Sequence, residues 1–134
     1  MSPTLIFAII FITLAAILYT VAVFSERSAG VLEPWHLVLF WAGFLFDTAG
    51  TALMAEIAGG WKADIHGFLG VLAIGLMLFH SVWASIALGF KQRRVLEQFH
   101  RFSLFVWVLW MAALVTGFIG VGLRLAMEGR ASAP

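Results

Sequence analysis

The sequence contains no cysteine and only three prolines in 134 residues. Without cysteine there is no disulfide, thiolate metal ligand, iron–sulfur cluster or covalently attached c-type haem. Charge is scarce too: 11% of residues are charged against 63% hydrophobic, a balance outside that of soluble domains. The net charge of +1 by itself says nothing about nucleic acid, which is not an expected partner of this chain. The apolar stretches do not alternate with polar residues, which removes half-buried strands and membrane barrels. No nucleophile–base arrangement or phosphate-binding glycine loop is visible, and no histidine pair has the i, i+3 or i+4 spacing of helical metal ligands.

What is present is four apolar runs: Leu5 to Phe24, Trp35 to Ala58, Gly67 to Phe90 and Phe102 to Leu123. Each has the roughly twenty residues needed to cross a hydrocarbon core of about 30 Å. The first run has no Lys or Arg before it and no small-residue cleavage motif after it, so it reads as a span and not a signal peptide. The expectation is an all-α, integral membrane, up-down-up-down four-helix bundle in a lipid bilayer. It forms one domain over residues 1–134, with helices at about 4–25, 35–58, 64–90 and 93–126. Pro34 suits a first helical turn, Asp64 suits an N-cap, and Trp61 suits the interface.

Basic residues divide unevenly between the ends. Arg27, Lys91, Arg93, Arg94 and Arg101 belong to the 1–2 and 3–4 connections, whereas Lys62, Arg124 and Arg130 belong to the other side. The positive-inside rule then puts both termini outside a bacterial inner membrane.

Ionisable residues inside spans are costly and mark function by default. His66 and His80 bracket the run HGFLGVLAIGLMLFH and lie within about 40° of one helix face, about 21 Å apart. Gly70, Ala73, Met77 and Ala84 share that stripe, which reads as a groove with ligands more than a filled seam. His36 and Asp47 share a face of the second helix with Gly43, Gly50 and Met54. Asp47 falls near mid-membrane, and either fixes helix packing through hydrogen bonds or serves as an internal proton acceptor.

Relative depth follows from the hairpins. If helices 3 and 4 turn near residue 90, His80 and His100 stand at one height, each about 15 Å from the turn. His36 falls near the same end, and His66 stands opposite Glu56 near the outer edge. Two imidazoles at one height suit the axial positions of a b-type haem, with His80 and His100 as the iron ligands and one haem better supported than two. His36 is then an alternate ligand or propionate partner, Arg101 with Arg93 and Arg94 lies where propionates emerge, and His66 with Glu56 forms an outer proton or quinone-head contact. Taken alone, the arginines read first as positive-inside anchors. Trp107, Trp110 and Met111 read as space-filling residues of helix 4.

The segments PWHLVLFWAGFLFDTAGTALM, HGFLGVLAIGLMLFHSVWA and FHRFSLFVWVLWMAALVTG resemble the HsmA family of small bacterial four-helix membrane proteins. The resemblance covers nearly the whole chain. The family name reflects a multiple-drug sensitivity phenotype, which implies a role in drug response without defining a chemistry. More loosely, the histidine layout resembles four-helix b-type cytochromes, which implies a membrane oxidoreductase moving electrons between a quinone and a small acceptor. The competing expectation is a small proton-coupled multidrug transporter or envelope-stress modulator without haem, with Asp47 as the coupling carboxylate. A homo-oligomer is compatible with either.

Overall fold

A computed structural model describes residues 2–133 as four helices: α1 (Pro3–Ala29), α2 (Pro34–Ile57), α3 (Ile65–Phe90) and α4 (Arg93–Ala131). All four are long and apolar enough to cross a membrane. Large apolar side chains such as Phe7, Val38, Leu45, Val71, Phe79 and Phe105 are exposed on every helix. An outer surface of that kind is unfavourable in water and matches lipid. The protein is a multi-pass four-helix membrane bundle.

Local chemistry sets the helix ends. The Ser2 hydroxyl accepts the Leu5 N–H at 3.2 Å, and Asp64 Oδ1 accepts the Gly67 N–H at 2.7 Å, so each caps a first turn as Ser and Asp do. Pro34 opens α2, and α1 stops at Gly30, whose φ of 72° is the left-handed cap that glycine tolerates. Two expected boundaries move. The first helix runs to Ala29, because Glu26, Arg27 and Ser28 end the apolar run without breaking the helix. The last runs to Ala131 for the same reason, since LRLAMEGR is rich in helix formers.

The helices pack in a ring: α1 against α2, α2 against α3, α3 against α4, and α4 back against α1. The closest pair is α1 and α2. Gly50 makes this approach possible, since a Cβ there would lie 2.6 Å from the Ile12 side chain and 3.1 Å from its backbone nitrogen. Ala8, Ala15 and Ala22 supply the facing surface at seven-residue spacing, all fully buried. Small residues let backbones approach where lipid gives no hydrophobic drive to association. The Leu32 N–H donates to the Leu96 carbonyl at 3.1 Å, which ties the 1–2 connection to the first turns of α4. Both basic connections therefore lie at one end of the bundle.

Candidate functional site

Two buried polar layers stack along the bundle axis. Tyr19 and Glu26 on α1, Asp47 and Phe40 on α2, and Trp110 and Ser103 on α4 are each seven residues apart. Seven residues are two turns, about 10 Å, so each pair places one member in each layer on one helix face.

The deeper layer centres on Asp47, which is 3% exposed. Its Oδ2 accepts the Trp110 indole N–H at 2.8 Å and makes a longer contact of 3.4 Å with the Tyr19 hydroxyl. The Tyr19 ring stands edge-on to Trp110 at 5.1 Å. Gly43, one turn before Asp47, makes room for the tyrosine: a Cβ there would lie 2.6 Å from its ring.

The second layer lies nearer the 1–2 and 3–4 connections and joins three helices. The Ser103 hydroxyl donates to Glu26 Oε2 at 2.7 Å and lies 2.8 Å from His80 Nε2. A hydroxyl has one proton to give, so with that proton on the glutamate, Ser103 accepts from His80 Nε2–H. All three residues are fully buried. The imidazole is boxed by the rings of Phe40, Phe99 and Phe102, with centroids at 4.4, 5.0 and 5.6 Å. Glu26 has no cation beside it: the one ion pair among the described residues is Arg93–Glu97, on the surface. Glu26 Oε1, His80 Nδ1, the Ser81 hydroxyl and His36 Nε2 are buried without a hydrogen-bond partner.

The histidines are distributed differently from the sequence expectation. His80 meets α4 at Phe99 and Ser103, while His100 lies to the side with its Nδ1 2.9 Å from the Glu97 carbonyl of its own helix. The buried stripe of α4 is Phe99, Ser103, Val106, Trp110 and Ala113, and one residue past Phe99 the helix has turned about 100°. His80 and His100 therefore have different partners here, His80 inside the core and His100 beside its own helix. The ring of His80 is enclosed by phenylalanines, and a bis-imidazole haem does not fit these side chains as they stand. The expected groove on α3 is filled, with Ala73, Met77 and Ala84 packed into the core. His66 is exposed and pairs with Thr116 of α4 at 3.1 Å, not with Glu56. Gly117 seats its ring, since a Cβ there would lie 2.8 Å from it. Glu56 and Arg101 are exposed, and no group of three or more His, Asp or Glu among the described residues is arranged to hold a metal. His36 is fully buried beneath the 1–2 connection, its Nδ1 accepting the Glu33 N–H at 2.9 Å.

Glu26, Ser103 and Tyr19 escaped the sequence reading. Glu26 sits in a polar stretch that looks like linker, and Ser103 is a lone hydroxyl in an apolar run. One signal was available: Tyr19 and Glu26 extend the heptad face begun by Ile12.

Fold and site together define a multi-pass four-helix membrane protein with a buried carboxyl–hydroxyl–imidazole chain. No family model, curated protein or solved structure matches the chain.

Proposed function

We propose that this chain is a small proton-coupled membrane transporter of lipophilic organic cations, with Glu26 as the coupling carboxyl. The observation that carries the reading is a fully buried carboxyl with no cation beside it, hydrogen-bonded through Ser103 to a fully buried imidazole. In a low-dielectric interior a carboxyl is least costly either protonated or beside a cation, so a proton and a cationic substrate compete for it. Phe40, Phe99 and Phe102 gather around His80 at this level, and aromatic rings are the side chains an organic cation prefers. The resemblance to the HsmA family, named for a drug-sensitivity phenotype, accords with such a substrate.

The chain itself suggests the proton route. A proton binds His80 at Nδ1, the ring nitrogen without a partner, and Nε2 passes its proton to Ser103. The Ser103 hydroxyl proton moves to Glu26 Oε2, which becomes the neutral acid. Afterwards His80 is neutral with its proton on Nδ1, and both hydrogen bonds point the other way. One proton has entered and none is lost. Asp47, engaged by Trp110 and Tyr19, positions helices in this reading and does not couple. The five basic residues at the 1–2 and 3–4 end orient that end to the cytoplasm of a bacterial inner membrane, with both termini outside.

Proteoliposomes test this with tetraphenylphosphonium as the probe. An acidic interior should drive its accumulation, and Glu26→Gln should reduce that to the level of empty liposomes. Accumulation absent in the wild type, or unchanged in Glu26→Gln, overturns the proposal. The rival haem-binding, electron-transferring reading, with quinone as partner, needs His80 to leave Ser103 and His100 to leave the Glu97 carbonyl. A Soret band in the purified protein, shifting on reduction, would replace the transport reading with it.

A further inference from the structure

α2 begins with a histidine where another residue type ordinarily works. In a capping box, a Glu or Gln at the third helical position accepts the backbone N–H of the N-cap residue. Here the N-cap is Glu33 and the third position is His36, whose Nδ1 accepts the Glu33 N–H at 2.9 Å. A carboxylate or amide oxygen has lone pairs to spare, but a ring nitrogen has one. The lone pair that holds the Glu33 N–H is therefore the same one that would take a proton.

What that bond holds in place lies at the same end of the bundle as the polar chain. The connection from Gly30 to Glu33 crosses the end of the bundle just past Glu26, which lies in the last turn of α1. Leu32 is its plug: 2% exposed, packed into the core, and fastened to α4 by its N–H on the Leu96 carbonyl. Gly30, with φ at 72° and nothing near where a Cβ would stand, is a ready pivot. Trp35 lies against the imidazole at 4.0 Å and its indole N–H is held by Glu33 Oε2 at 2.7 Å.

We infer that His36 is a proton-operated latch: protonation at Nδ1 expels the Glu33 N–H, breaks that arm of the α2 cap and releases the Leu32 plug at the Glu26 end of the bundle. A proton arriving from the cytoplasmic end thus opens the way to the chain it then enters. Several other titratable groups share this end. Glu33 is on the connection itself, and Glu26 and Arg27 are on α1. α3 contributes His80, Lys91 follows it, and α4 contributes Arg93, Arg94, Glu97, His100 and Arg101. Of these only Glu33 is bonded to His36: its N–H donates to Nδ1, and the His36 backbone N–H donates back to Glu33. As control of access, the inference rests on the proton-coupled reading; the movement itself does not.

Hydrogen–deuterium exchange on the purified full chain tests it, at about pH 8 and about pH 5, either side of the ordinary histidine range. After correction for intrinsic exchange, amides of residues 30–36 should lose protection at the lower pH by about fivefold or more, the effect of losing one helix cap. Amides of residues 43–51 should not change. His36→Gln restores the ordinary capping box without a titrating ring, so its protection should stay high at both values. Unchanged protection in the wild type overturns the latch, as does a pH response that survives in His36→Gln. Unchanged wild-type protection overturns it even if that variant fails to fold. A pH-dependent opening without tetraphenylphosphonium uptake keeps the latch and removes the transport reading. Uptake with a pH-indifferent connection does the reverse.

Discussion

The Asp47 layer and the Glu26 layer are made by the same bundle, two turns apart, and both carboxyl groups are buried. They differ in what their polar atoms touch. Asp47 is approached by two aromatic donors from two other helices, and neither of its oxygens is left buried and unpartnered. Glu26 has one donor, and three further unpartnered polar atoms, on His36, His80 and Ser81, share the buried interior. Buried polar groups in folded proteins are generally satisfied, so a buried atom without a partner calls for a reason. A carboxyl held by good donors fixes geometry. One that keeps an oxygen and a reversible hydrogen-bond chain in reserve can exchange a proton.

The largest expected effect separates the layers by function. Asp47→Asn should keep pH-driven tetraphenylphosphonium uptake within about twofold of wild type, since an amide oxygen still accepts from Trp110. Glu26→Gln should reduce uptake to background. If Asp47→Asn is the silent variant and Glu26→Gln the active one, the two layers have been assigned the wrong way round.

Stability should run in the opposite order. Asp47→Ala strands the Trp110 N–H and the Tyr19 hydroxyl together, at a cost of about 2–4 kcal/mol, whereas Glu26→Ala strands only Ser103, at about half that. Unfolding by SDS in mixed micelles measures both. A greater loss in Glu26→Ala would mean that its layer is the structural one.

Gly43→Ala sharpens the same contrast without touching a polar group. Its Cβ would lie 2.6 Å from the Tyr19 ring and would push the hydroxyl away from Asp47, an overpacking cost of about 1–3 kcal/mol. Gly120→Ala, with nothing within 4 Å, is the control and should be neutral or slightly stabilising. The smallest expected loss belongs to Trp107→Phe, which removes a 3.1 Å bond to Thr20 outside both layers. Intramembrane hydrogen bonds average about 0.6 kcal/mol, and the same unfolding assay should register no more than that.

Much of the fold was legible because bilayer thickness imposes long apolar runs, and Pro34 and Asp64 mark helix starts by local chemistry alone. Asp47 and His80 were legible as ionisable groups within spans. Glu26 was not, because the end of an apolar run is not the end of a helix. Glu and Arg carry α1 one further turn, and the backbone stops only where Gly30 adopts the left-handed form. Hairpin arithmetic gives height but no azimuth. It brings His80 to the level of Phe99 and Ser103, yet it does not distinguish the inward stripe from the neighbouring face that carries His100.

The most direct test of Glu26 as the exchanging carboxyl is an infrared difference spectrum of the reconstituted protein across a pH step. A carboxylic C=O band should rise as the interior takes up a proton. It should vanish in Glu26→Gln and persist in Asp47→Asn. A band that persists in Glu26→Gln and vanishes in Asp47→Asn would contradict the account.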